Sequence, residues 1–174
     1  IRFDLHALVE DSVDLLSLEA HKKGLEAALC INNGVPKQVV GDPVRLRQII
    51  VNLFNNAIKF TKEGEIVVTI DLKQELDNAY LLFFRVRDTG IGIEKEKLKS
   101  LFQAFSQIDT STTRKFGGTG LGLSISKNLV QMMDGEIGVE SVYRQGSTFR
   151  FSVKLGKTEE QAVEVGIPDW YNDI

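Results

Sequence analysis

Three stretches of this 174-residue chain place side chains where they could do chemistry. The first is the stripe Asn52, Asn56 and Lys59, spaced four and three apart inside a run rich in Ile49, Leu53, Phe54, Ala57, Ile58 and Phe60. At helical pitch the three polar residues fall within about 60° of one another. A buried amide without partners costs roughly 1–3 kcal/mol, so the stripe is either a solvated face or a ligand face. As a ligand face it offers Asn oxygens, hard neutral donors suited to Mg²⁺, and a Lys point charge suited to phosphate.

The second stretch is Asp88-Thr89-Gly90-Ile91-Gly92-Ile93. A strand ends on a carboxylate, and two glycines then let the backbone come close to another group. An ionised Asp only accepts hydrogen bonds, which suits an exocyclic amino group such as that of adenine; a tight turn with a surface Asp is the plainer reading. The third is Gly117-Gly118-Thr119-Gly120-Leu121-Gly122-Leu123, which opens a helix. Free N–H groups and the positive dipole end there suit phosphate, and a flexible hinge is the alternative. The spacing is neither that of a P-loop nor that of a dinucleotide site. Arg114 and Lys115, just before it, either add charge toward phosphates or keep the loop soluble. Phe102 and Phe105, three apart, read as core.

These stretches need a scaffold. Residues 3–22 have helical spacing with Asp4 as N-cap and Gly24 as stop. A strand is expected at 25–31, a turn at Asn32-Asn33-Gly34, and a short extended piece at 39–40. Asp42 and Pro43 start a helix that runs to about residue 61. Strands follow at 65–73 and 80–88, short helical pieces at 94–106, and an aperiodic loop at 107–118. A helix at 119–133 and strands at 136–142 and 147–155 complete the order. Paired strands between helices predict an α+β fold rather than a doubly wound one.

Composition agrees: 43% hydrophobic and 26% charged residues fit one globular domain. The net charge is −3, and residues 157–174 hold one Lys against five acids. The body is therefore close to neutral, which argues against a nucleic-acid partner. A single cysteine excludes an internal disulfide and fits a reducing compartment. No apolar run approaches the roughly 20 residues that span a bilayer. The first residue is Ile, so the chain reads as a fragment of a longer protein, cytoplasmic itself, whose parent can carry a membrane anchor.

Taken in order, the motifs resemble the catalytic, ATP-binding domain of sensor histidine kinases. Residues Asn52 to Thr61 resemble the family's N box, Asp88 to Ile93 its G1 box, Phe102 to Phe105 its F box, and Gly118 to Leu123 its G2 box. Gly146-Ser147-Thr148-Phe149 is similar to the closing strand motif. The resemblance covers about residues 1–156 and leaves 157–174 as an acidic tail or linker, in hybrid kinases a lead to a receiver domain.

The resemblance implies a two-layer α/β sandwich, a mixed and mostly antiparallel sheet packed on one face by about three helices. The same fold occurs in gyrase B, the ninety-kilodalton heat-shock chaperones and mismatch-repair ATPases. It implies ATP and Mg²⁺ as cofactors. Asn56 would bind Mg²⁺, Lys59 would contact phosphate, Phe60 would lie along the base, and Asp88 would read the adenine amino group with Thr148 nearby. Gly90, Gly92 and Ile93 would complete the base site. Residues 107–118 would be a lid, with Arg114, Lys115, Gly118, Thr119, Gly120, Leu121, Gly122 and Leu123 around the phosphates.

Asn52 and Lys59 are the residues nearest the chemistry. Hydrolysing relatives place a Glu at the position of Asn52, and an amide is no general base at neutral pH. This favours transfer to a histidine on a separate dimerisation domain of the same parent, and from there to a response regulator or receiver domain. Neither His6 nor His21 has the setting of the family's acceptor. The fragment is expected to be monomeric and the parent a homodimer. The competing readings are an ATPase or serine-directed kinase of the same superfamily, and a nucleotide-free adaptor.

Overall fold

The computed structural model describes residues 1–102 and 121–161. The chain opens with a three-residue strand, β1 (Arg2–Asp4), and a helix, α1 (Leu5–Lys22). Asp4 caps that helix by accepting the Ala7 N–H at 2.9 Å. The sequence pattern runs the helix back to residue 3, but Phe3 pairs with Val39 in the sheet instead. An N-cap residue has extended backbone angles, here φ −85° and ψ 108°, so the chain before it can continue as strand.

There follow β2 (Glu26–Ile31), β3 (Gln38–Val40), α2 (Pro43–Phe60), β4 (Glu65–Glu75) and β5 (Ala79–Asp88). A short 3-10 helix (Lys95–Ser100), α3 (Leu121–Met132), β6 (Ile137–Val142) and β7 (Gly146–Gly156) complete the described elements. Asp42 caps α2 through the Arg45 N–H at 3.1 Å, and Pro43 occupies its first turn, where a missing N–H costs nothing.

The sheet runs β1-β3-β7-β5-β4-β2, with β6 also paired to β7. β2 and β4 are parallel; the other pairs are antiparallel. Alternate residues of β4 (Ile66, Val68, Ile70), β5 (Leu82, Phe84, Val86) and β7 (Phe149, Phe151, Val153, Leu155) are buried on one face. Phe84 and Phe151 are cross-strand partners, stacked with ring centroids 4.6 Å apart. The helices cover this face in one layer, with α2 in contact with both α1 and α3. This is the two-layer, mostly antiparallel sandwich expected.

The middle helix, α2, is the anchor. Leu46, Ile49, Ile50, Leu53 and Phe54 are fully buried, each worth roughly 1.5–3 kcal/mol on burial. That apolar face fixes the rotation of the helix, and with it the direction in which the polar stripe points. After β7 the chain stays on the sheet: the Lys157 ammonium, buried, pairs with Glu75 at 2.9 Å, and Gln161 donates to the Gln38 carbonyl at 3.0 Å. Among the described residues no helix is long and apolar enough to cross a membrane.

Candidate functional site

The end of α2 and the loop after β5 meet at one end of the sheet. The Phe60 carbonyl accepts the Ile91 N–H at 3.1 Å. The approach is close enough that a Cβ on Gly90 would run into that same carbonyl oxygen, so glycine is required by contact rather than by backbone angle. At Gly92 both reasons apply: φ is +70°, and a Cβ would strike the Val142 carbonyl of β6. The loop is stitched to the β6–β7 hairpin by Ile93 N–H to Ser141 Oγ, 2.7 Å, and by Arg144 N–H to the Ile91 carbonyl.

This clamp leaves a narrow cavity. Its lining comes from α2 (Asn56, Phe60), β5 (Asp88), the loop (Gly92, Ile93), α3 (Leu123) and β7 (Ser147, Phe149). Phe102, expected to be core, packs edge-on against Phe149, centroids 6.3 Å apart.

Asp88 is only 5% exposed. Burial pushes its carboxyl pKa above the ordinary value; the backbone N–H groups of Gly90 and Ser147 and the Arg87 charge work against that rise. The Gly90 bond is 2.9 Å. A fixed acceptor in a mostly apolar slot favours a ligand with an N–H donor at that point, because water competes poorly there.

Ser147 is the cross-strand partner of Asp88 and lies on the same face, 7% exposed. Thr148, expected near Asp88, pairs with Arg87 and projects from the opposite face. The alternation of Phe149, Phe151, Val153 and Leu155 contains the signal: odd positions face the helices, so Ser147 does too. Ser141, which joins the loop to Ser147, has no comparable sequence signal.

Asn56, from the polar stripe, and Phe60, from the apolar run around it, both line the cavity. Asn52 turns toward α3, where its amide donates to Gly122 O at 3.4 Å and Ser126 Oγ at 3.3 Å. Lys59 lies half-buried in the last turn of α2. That end of the helix is capped from α1: the Lys23 ammonium donates to the carbonyls of Ile58 and Lys59 at 2.5 and 3.2 Å. Burial first, and Lys62 second, lower the Lys23 pKa. Leu121 and Gly122 start α3. Phe105, Arg114, Lys115, Gly118, Thr119 and Gly120 lie outside the described residues.

Among the described residues no group of three or more His, Cys, Asp or Glu could hold a metal. Asn56, which lines the cavity, carries an amide oxygen, a hard neutral donor. His6 is engaged with the Val35 carbonyl at 3.0 Å, and His21 lies exposed at the end of α1.

The family model for histidine kinase-, DNA gyrase B- and HSP90-like ATPases matches residues 41–157. The chain belongs to this family. The matched stretch contains every cavity residue and excludes β1, α1, β2 and β3. The sensor histidine kinase GacS of Pseudomonas protegens is 46% identical over 97% of this chain and 18% of its own length. The signal transduction histidine-protein kinase BarA of Escherichia coli is 45% identical over 89% of this chain and 17% of its own. The chain thus spans less than a fifth of these relatives.

Among solved structures, full-length ShkA in complex with AMPPNP superposes with a TM-score of 0.77 at 32% identity, covering 91% of this chain and 31% of that one. The nucleotide-free catalytic domain of the histidine kinase ThkA gives 0.72 at 26% identity, covering 92% and 97%. For this ATPase-family chain the architecture around the cavity is therefore shared with histidine kinase catalytic domains.

Proposed function

We propose that the chain is the ATP-binding catalytic domain of a sensor histidine kinase. It binds Mg-ATP and presents the terminal phosphate to a histidine on a separate dimerisation domain of the same parent. The observation that carries this reading is the pairing of buried Asp88 with Ser147 at a cavity whose wall is the Asn56–Phe60 turn of α2. Asp88 accepts the adenine amino group, Phe60 and Ile93 supply apolar contact for the base, and Asn56 and Lys59 lie along α2 toward the phosphates.

The residues fit a Mg²⁺ ion. Mg²⁺ commonly takes one or two protein oxygens and completes its shell with water and phosphate oxygens, so it needs no carboxylate cage. Asn56 would hold it here. When bound, the ion neutralises charge that develops on the phosphoryl group.

Transfer is favoured over hydrolysis by Asn52. Its side chain is an amide, which cannot take a proton from water near neutral pH, and its N–H₂ is engaged with α3. The kinase names carried by the relatives support the same reading. The parent is a homodimer whose phosphohistidine passes its phosphoryl group to a response regulator or receiver domain, and this domain works on the cytoplasmic side of any membrane anchor.

Titrating ATP into the chain with and without Mg²⁺ tests the first half. Following γ-phosphate label into histidine in the full-length parent, beside a hydrolysis assay on the chain, tests the second. No nucleotide binding would overturn the reading; turnover of ATP to free phosphate without transfer would replace it with an ATPase.

A further inference from the structure

α1 and α2 end side by side, but only α1 closes its own last turn. Gly24, φ +81°, follows the cap residue Lys23. The Leu25 N–H donates to the Ala20 carbonyl and the Gly24 N–H to the His21 carbonyl, both at 2.9 Å. This glycine-closed pattern satisfies the helix end locally. It also fixes the backbone of Lys23.

α2 has no such closure. The carbonyls of its last turn, among them those of Ile58, Lys59 and Phe60, have no partner further along the helix. The next residue, Thr61, is extended, φ −114° and ψ 118°. These three carbonyls are served from outside the helix. The Ile91 N–H of the glycine loop donates to the Phe60 carbonyl at 3.1 Å. The Lys23 ammonium donates to the Ile58 and Lys59 carbonyls at 2.5 and 3.2 Å. A cation there also meets the negative end of the helix dipole. The turn held in this way runs from Asn56 to Phe60, and both of those residues line the cavity.

Lys23 precedes residues 41–157, the stretch that the family model matches. We infer that Lys23 is a positioning residue for the nucleotide site: its ammonium holds the last turn of α2 closed and so keeps Phe60 and the glycine loop in place against the nucleotide. Fraying of that turn releases the Phe60 carbonyl from Ile91 and moves one wall of the cavity. The inference rests on the nucleotide reading proposed above and adds to it a residue of the α1–β2 turn.

The test makes two measurements on the full chain: amide exchange at Ile91 without nucleotide, and the affinities for ATP and for adenosine. Lys23→Met keeps an aliphatic stem and removes the cation. Ile91 should exchange at least about threefold faster, and both ligands should bind about three- to tenfold less tightly, since part of the population then has an open turn. Lys23→Arg, which keeps a cation and its donors, should stay within about twofold of the wild type in both measurements.

A merely structural role for Lys23 would lower the melting temperature and leave Ile91 exchange and both affinities at their wild-type values; that result overturns the inference. Weaker binding of ATP alone overturns it too, because the ammonium would then act on the phosphates through its charge and not through the turn. So does a Lys23→Arg chain that behaves like Lys23→Met. Should Lys23→Met fail to fold, Lys23→Gln is read by the same criteria. A wild-type chain that binds neither ligand would instead refute the nucleotide reading, while Ile91 exchange would still decide whether Lys23 holds the end of α2.

Discussion

The side-chain amide of Asn52 donates to the hydroxyl of Ser126, 3.3 Å away on the neighbouring helix α3. Ser126 is fully buried and Asn52 partly so. The residue four before Asn56 is thus a tie between α2, which carries the proposed metal ligand, and the first turns of α3, which carry Gly122 and Leu123.

That tie predicts coupling. Asn52→Ala and Ser126→Ala should each destabilise the nucleotide-free chain by roughly 1 kcal/mol, and the double mutant by less than their sum. Urea unfolding of the four proteins checks this. Additive effects would show that the two side chains do not stabilise one another.

Asp88 gives a prediction about pH. Its folded pKa is raised, chiefly by burial, so the neutral carboxyl favours the folded state. That contribution is complete below the ordinary carboxylate range and is lost as pH rises through the raised folded pKa. Asp88→Asn is neutral throughout. The melting temperature of the wild type should therefore fall relative to this variant as pH rises from the ordinary carboxylate range through the raised folded pKa.

ATP binding has the opposite slope. The base needs the ionised, acceptor-only carboxylate, so wild-type affinity should weaken as pH drops through the raised pKa. Asp88→Asn should bind adenine nucleotides at least about tenfold less tightly, the loss of a hydrogen bond to a charged group, with that slope gone. Unchanged ATP affinity in Asp88→Asn would end the assignment of Asp88 to the base.

Asn56→Ala removes the amide oxygen at the cavity wall. ATP affinity measured with Mg²⁺ should fall to the value measured without it. Label transfer to histidine in the full-length parent should fall by roughly 10²-fold or more, the scale of losing charge stabilisation on a phosphoryl group. A Mg²⁺ dependence that survives the substitution would place the ion elsewhere.

Much of this arrangement is legible in the sequence because local rules and burial agree. Asp42 and Pro43 start α2, and its apolar residues at 49, 50, 53 and 54 fix the rotation that sends Asn56 to the cavity. The glycine positions at 90 and 92 mark a close approach, although the sequence does not say to what. The structure supplies the partners, the carbonyls of Phe60 and Val142. What local pattern does not reveal is pairing between distant segments. β1 is three residues with no alternation to read, and its strand character comes from β3. Ser147 and Thr148 differ only in which face of β7 they occupy. Ser141 matters only because a hairpin folds it under Ile93.

The last prediction concerns Gly90, where geometry alone sets the requirement. Its φ is not in the left-handed region, so alanine is compatible with the backbone. The obstacle is the Phe60 carbonyl, which a Cβ would meet along with the Asp88 carboxylate, 2.9 Å from the same Cβ. Backbone cannot yield as a flexible side-chain end does. Gly90→Ala must therefore push the loop away from α2, break the 3.1 Å Ile91-to-Phe60 hydrogen bond and shift Asp88. Overpacking of this kind costs roughly 1–3 kcal/mol, a fall in melting temperature of about 2–12 °C for a chain of this size. Because Phe60 and Asp88 both line the cavity, ATP affinity should fall with stability. Adding saturating ATP should raise the melting temperature of the variant less than that of the wild type. Equal ATP stabilisation of the two proteins would mean that the Phe60–Gly90 contact does not shape the site.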